Sequence, residues 1–345
     1  MKQSFYLGPE MTAFHNAAPA DLFTMRAGMM YALTDETLGT LHGFANDANL
    51  DAATLSEPLQ QFIATIVDPT DLLGTLESLA PSVPAARRFS YRTHSNKEAF
   101  MTDDDDSDMR QIGGDFKTVD AKGDDANGKT HNKGLAMVID HDEGGEMPEI
   151  QQRAVESLRN RLLRTEIIRV LRILDANDSN TGVNWGPTNA ARDPDADLLS
   201  LVDGSGDKRG FNPSLVVLGG GAALKRVIAL RTKTAPDEVG ARLTDEQLAD
   251  FLKVERVVTL NARRQSTVST KAKLLGDVAF AYDARKGLSK EDPSNIKRFV
   301  TPTTSGPMRV HVIPKMKRTL VAVEHYSDII CTSDVGIEKL TVTFN

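Results

Sequence analysis

From Pro148 to Ala176, apolar side chains recur at the helical period. Ile150, Ala154, Leu158, Leu162, Ile167, Leu171 and Leu174 form the stripe, and Val155, Leu163, Ile168 and Val170 widen it. Pro148 suits a first helical turn, and Glu149 complements the positive end of the dipole. At 1.5 Å per residue such a helix is about 43 Å long. The chain just before it has the opposite character. Residues 88–101 alternate partly, with Phe89, Tyr91 and Phe100 among polar neighbours, and read as an outgoing strand. A polar, acidic excursion follows over 102–128, and the chain returns through Leu135 to Asp140. Compact domains seldom hold so long a loop without a purpose. Residues 86–177 therefore read as an arm hinged on a long helix. The arm is predicted to lie on a neighbouring copy of the same chain.

Charge supports that arrangement. Asp103, Asp104, Asp105, Asp106 and Asp108 form an acidic run on the arm. The polar face of the helix carries Arg153, Arg159, Arg161, Arg164, Arg169 and Arg172 against Glu156 and Glu166. Opposite charge steers one copy onto the next, although an exposed pair contributes only ~0–1 kcal/mol. The plainer alternative is that the arginines are a solvated face.

Several activities are disfavoured by the residues. A formal net charge of −7 argues against nucleic-acid binding driven by overall charge. A lone cysteine, Cys331, excludes a disulfide framework within the chain and a multi-cysteine metal site; its apolar surroundings predict a buried thiol. The seven histidines show no catalytic spacing, and no nucleophile-elbow or zinc-protease pattern occurs. The acidic run lacks the glycine and glutamate spacing of a calcium loop. The cluster at Asp140, His141, Asp142 and Glu143 is a weak metal candidate at a polar junction. No metal or cofactor is expected. No apolar run approaches the ~20 residues of a membrane span, and the N-terminus lacks a signal-peptide core, which predicts synthesis in the cytoplasm.

Two phosphate-binding patterns need weighing. Gly123 to Thr130 matches G-x-x-x-x-G-K-[ST] in full, the basis of an alternative reading as a nucleotide-dependent enzyme. The lead-in is too polar for a central strand, a strand rather than a helix follows, and Asp124 and Asp125 would repel phosphate. A flexible hairpin turn is the expectation. Gly219, Gly220 and Gly221 follow the apolar strand 213–218, but Leu224 stands where a dinucleotide fingerprint needs glycine. A tight strand-to-helix turn is expected.

The remaining chain reads in blocks. Residues 1–85 are a helical arm, with candidate helices at 20–33, 59–67 and 69–79. Residues 178–194 are a polar link holding Trp185, and 195–202 a short helix. A helix follows the glycine turn at 222–231. Thr244 to Gln247 is a capping box opening a helix at 245–251. Strands are predicted at 254–260 and 277–282. A small antiparallel sheet is predicted from strands at 308–313, 319–323, 328–331 and 337–344.

This order of parts resembles the major capsid proteins of tailed bacteriophages, the Hong Kong 97-like fold, over roughly 79–345. Residues 79–84 (LAPSVP) are similar to the family's approach to its extended loop. Residues 209–218 (RGFNPSLVVL) with 222–230, residues 243–258 (LTDEQLADFLKVERVV) and residues 275–282 (LGDVAFAY) are similar to its axial domain. The resemblance implies an α+β fold. Its parts would be an N-terminal arm (1–85), an extended loop (86–146), a peripheral domain with the spine helix (147–211), an axial domain (212–300) and returning peripheral strands (301–345). It also implies self-assembly as hexamers and pentamers into an icosahedral shell around double-stranded DNA, with no enzymatic activity. The location would be the virion capsid, assembled in the host cytoplasm. The chain itself is the principal partner, with scaffolding, portal and decoration proteins as further candidates and packaged DNA touched non-specifically. No membrane partner is expected. Met1 at the start suggests that no N-terminal scaffolding segment has been cut away. Relatives that crosslink a loop lysine make Lys97, Lys117, Lys122, Lys129 and Lys133 candidates. An encapsulin-type compartment shell shares the fold and is the nearer alternative.

Overall fold

A computed structural model describes residues 56–66, 71–94, 109–110, 112–115, 124–142, 146–233, 239–267, 269–285, 294–303 and 307–345. Two short helices come first, α1 (Glu57–Thr65) and α2 (Leu72–Leu79). Strand β1 (Ser82–Pro84) then leads to β2 (Arg88–Thr93). The chain returns in β3 (Asp124–Lys129) and β4 (His131–Asp140) and enters α3 (Met147–Ala176), a helix of 30 residues. Its proline in the first turn and Glu149 beside it are the expected start signals.

The helix α3 serves two apolar clusters, which explains why its stripe is so wide. Its first half, Ala154 to Leu162, packs with Leu59 and Ile63 of α1 and with Ile139 of β4. Its second half, Leu163 to Leu174, packs with Leu72, Leu76 and Leu79 of α2 and with Phe280 and Tyr282. Elements therefore press on it from several sides. Arg159 and Glu166, read from the sequence as part of its polar face, are buried.

Beyond α3, residues 178–194 are more than a polar link. Strand β5 (Ser179–Asn184) forms there, and Trp185 is fully buried with its Nε1 donating to Asp197 at 2.7 Å. The next helix, α4 (Pro194–Arg209), runs well past the expected end at Val202. Gly204 and Gly206 weaken a helix locally. The continuation is held by Arg209, which donates to Asp283 at 3.1 Å and also bonds Asn295. Gly210 closes the helix in the left-handed region, with φ 82°.

Strand β6 (Leu215–Gly219) is buried along its length and turns into α5 (Gly220–Arg231). The capping box at Thr244 opens α6 (Asp245–Leu252), which leads to β7 (Arg256–Leu260). A hairpin of β8 (Arg263–Gln265) and β9 (Lys271–Lys273) precedes β10 (Val278–Tyr282). Last come β11 (Ile296–Val300), β12 (Arg309–Pro314), β13 (Arg318–Cys331) and β14 (Glu338–Thr343).

Two five-stranded sheets organise these strands. In one the order is β5-β14-β10-β6-β7, with β5 and β14 parallel, β6 and β7 parallel, and the inner pairings antiparallel. The other is built on β13, whose 14 residues replace two expected short strands. One edge of β13 pairs with all of β4; the other pairs with β12 and then β11, which carries β1 in parallel. The C-terminal strands thus form no sheet of their own. β14, expected beside them, lies between β5 and β10. Alternating burial along β13 turns one face to the core, which Val321, Val323 and Ile329 share with the buried polar residues Thr319, His325 and Ser327.

Candidate functional site

Five strands and one helix converge at the root of the extended loop. β2 and β3 form an antiparallel ribbon, with Thr93 opposite Asp124 and Arg88 opposite Lys129. At its inner end Phe89 stacks on Phe299, with ring centroids 4.3 Å apart. Gly128 lies directly against Phe89: a Cβ there would come within 2.5 Å of the ring. The residue that completes the phosphate-loop pattern is thus a packing glycine. Asp124 to Lys129 is strand, not the expected turn, because β2 offers it a full set of ladder partners. Successive N–H groups of a strand point to opposite sides and cannot converge on one phosphate. Lys129 is exposed, and Thr130 is buried with its hydroxyl 2.7 Å from that of Thr301. Gly128→Ala should therefore destabilise the fold by about 1–3 kcal/mol, while Lys129→Ala should stay within about 0.5 kcal/mol. Urea unfolding of the two variants checks this contrast.

The second glycine pattern is also closed to a ligand. The N–H groups of Gly221 and Ala222 donate to Gly276 O at 3.0 and 3.2 Å. A Cβ on Gly219 would lie 2.2 Å from that carbonyl oxygen. The glycines let two backbones approach, and the N–H groups of Gly221 and Ala222 are already used.

Beyond Thr130, β4 carries Lys133 onto the spine helix α3. Its Nζ lies 3.1 Å from Glu166 Oε1 and 3.2 Å from Ser327 Oγ. Ser327 Oγ also donates to Glu166 at 3.1 Å, and Arg169 pairs with the same carboxylate from one turn along. Burial alone would raise the Glu166 carboxyl. Lys133 first, then His325 and Arg169, outweigh it and hold the group below the ordinary range. Burial pulls the Lys133 ammonium below its usual range, with Glu166 opposing. This buried group binds the loop's return strand to the helix and to β13.

His325 adjoins the cluster, 3% exposed, with no hydrogen-bond partner at Nε2 among the described residues. Burial pushes its imidazole from an ordinary 6.5 down to about 4; Glu166 opposes this, while Lys133, Arg298 and Arg169 add to it. Between those two values the unfolded chain binds a proton that the folded chain refuses. Stability should therefore fall as pH drops from 6.5 towards 4, by ~3 kcal/mol from this group. Glu166 adds a further loss only below about 4.5, as pH falls through its lowered folded value. Urea midpoints at pH 7.5, 6 and 4.5 should show the slope, and His325→Gln should flatten it above pH 4.5.

The arginines predicted as a contact set do not share one environment. Arg153, Arg161 and Arg172 are exposed, and Arg153 pairs with Glu149 at 3.3 Å. Arg164 and Arg169 are half-buried, and Arg159 is buried. Asp103, Asp104, Asp105, Asp106 and Asp108 lie outside the described residues. Lys133, named as a loop lysine, is committed to Glu166, a role that sequence spacing could not disclose. Cys331 is half-buried rather than deep in the core. Its Sγ lies 3.2 Å from Ser333 O, and burial first, then Asp334, pushes the thiol up to about 11, so it is protonated at neutral pH. Among the described residues no group of three or more His, Cys, Asp or Glu is placed to hold a metal, and no helix is long and apolar enough to cross a membrane.

No protein-family profile and no curated protein matches the chain. Solved structures do. A phage-related protein from Bordetella bronchiseptica RB50 is similar at a TM-score of 0.60 and 15% identity, over 84% of this chain and 97% of that one. A virus-like particle from Pyrococcus furiosus matches at 0.45 and 10%, over 82% and 95%. The mature capsid of bacteriophage PhiM1 matches at 0.46 and 11%, over 78% and 86%. The Bordetella likeness spans most of this chain and nearly the whole of that one.

Proposed function

We propose that this chain, whose fold is α+β and Hong Kong 97-like, is the major shell subunit of a tailed phage or prophage. It assembles as hexamers and pentamers into an icosahedral capsid around double-stranded DNA. One observation carries the reading most directly: the loop leaves apolar side chains bare in the single chain. Met109 is 71% exposed and Ile112 is 106% exposed. Large apolar groups displayed on an arm are what an intersubunit contact covers. The fold is shared with a phage-related protein, which fits the same role.

The chain acts through contact rather than catalysis. Its division into N-terminal arm, extended loop, spine, axial domain and peripheral strands gives each part a surface for a neighbour. The arm's Asp103 to Asp106 and Asp108 meet the spine arginines of the next copy, with Arg153, Arg161 and Arg172 as the accessible set. Repeated self-complementary contacts of this kind close into a shell. A net charge of −7 keeps packed DNA from adhering to the wall. Assembly takes place in the host cytoplasm, with scaffolding, portal and decoration proteins as further partners.

Electron microscopy of the purified chain, expressed with and without a candidate scaffold, tests the proposal. Closed shells or capsomers are expected. A monodisperse monomer under every assembly condition would refute it. Nucleic acid inside particles recovered from infected or induced cells is the capsid outcome; enclosed protein cargo would point to a compartment shell instead.

A further inference from the structure

Arg159 stands apart from the other spine arginines. It is 7% exposed, and its side chain makes one long hydrogen bond, Nη1 to Asn160 Oδ1 at 3.4 Å. Among the described residues no carboxylate pairs with it. A buried guanidinium without an anion is costly, and such a site favours an acid that enters with its own charge. Arg159 borders a cavity of about 420 Å³ together with Arg298 and His325. Glu77 lines the same cavity and is already paired with Arg298. The cavity thus holds two guanidinium groups and one carboxylate, which Arg298 takes. Leu73, 39% exposed, and Met308 add an apolar wall. The lining calls for a carboxylate carried next to an apolar group.

The chain contains such a segment. Asp103, Asp104, Asp105, Asp106 and Asp108 are flanked by Met101 and Met109. Met109 stands 71% exposed in the single chain. We propose that this cavity is a docking socket for residues 101–109 of a second copy of the chain. One aspartate neutralises Arg159, and a flanking methionine rests against Leu73 and Met308. The inference rests on the shell reading and sharpens it. The acidic arm is held by a buried arginine in a socket, while the exposed arginines of the spine steer its approach. Charge supplies the recognition and the apolar wall supplies the fit, as at other interfaces where a buried charge pair sets the rate of release.

The test uses a fluorescent peptide of residues 101–109 and the unassembled full-length chain, read by anisotropy. Saturable binding is expected, weakened at least about tenfold by Arg159→Gln. The same loss is expected when all five aspartates of the peptide become asparagine, a control that needs no altered protein. Excess wild-type peptide should also slow assembly. Equal binding by the asparagine peptide, or undiminished binding to a folded Arg159→Gln chain, would overturn the socket. Displacement of the peptide by an equal concentration of glutarate would overturn it too, because the cavity would then be a small-anion site. Shells that form normally while no peptide binds refute the socket and leave the shell reading intact. A wild-type chain that never forms shells refutes the shell reading itself.

Discussion

Deleting residues 95–122 should leave a folded chain that no longer builds shells. The cut joins His94 to Gly123 as a two-residue loop between Thr93 and Asp124. Those two residues are already ladder partners, and Thr93 Oγ1 donates to Asp124 O at 2.9 Å. Paired strand ends lie close enough for a two-residue hairpin to close, and glycine in the loop eases the backbone. The described residues inside the cut, 109–110 and 112–115, are all exposed, so no core is removed there. Urea unfolding should shift by less than about 1 kcal/mol. Particle yield by sedimentation and microscopy should fall at least about a hundredfold, since in the proposed shell each lost contact would recur around every capsomer. Wild-type yields of normal shells from this variant would end the case for the arm as an intersubunit element. A cut carried through Lys129 would be a poorer test. It would strip Phe89 of the strand that covers it and confuse folding with assembly.

The second large effect lies at the loop's root. Glu166→Leu should destabilise the chain by about 3–5 kcal/mol, because Lys133 and Arg169 lose their shared anion and Lys133 is left charged in a buried site. The pair's own net value is much smaller, since two charges had to leave water to form it. Lys133→Met in the Glu166→Leu background should therefore recover most of the loss. A urea double-mutant cycle measures the coupling. A single-variant cost below about 1 kcal/mol, or no recovery in the double variant, would show that the cluster is not a buried ionic tie. The same cycle scored for assembly should show shell formation following the stability of this root, because β4 joins the loop to both α3 and β13.

Elements specified by local signals were legible in the sequence. The spine helix announces itself by period and by Pro148, α6 by a capping box that the structure forms in full, and β6 by an unbroken apolar run. The β6–α5 turn was legible too, because glycines between a strand and a helix have few other uses. Other features depend on distant partners. Asp124 to Lys129 is polar enough to read as a turn, and it becomes strand only because Arg88 to Thr93 lies alongside. Ser179 to Asn184 becomes strand only because β14 passes it in parallel. α4 outlasts its own glycines because Asp283 and Asn295 hold Arg209 at its end.

The candidate site divides along the same line. Composition and spacing alone marked an acidic run ahead of a basic helix. Helical period could not separate Arg159 and Glu166 from the solvated arginines beside them, because a helix covered on several sides has no single polar face. Their burial, the tie from Glu166 to Lys133 and the cavity beside Arg159 arise where β4, β11, β13 and α2 meet α3. Sequence determined which segments would be helix and core strand, since those preferences are local. Tertiary structure decided which charges are buried and which remain free for a neighbour, since that depends on what packs against them.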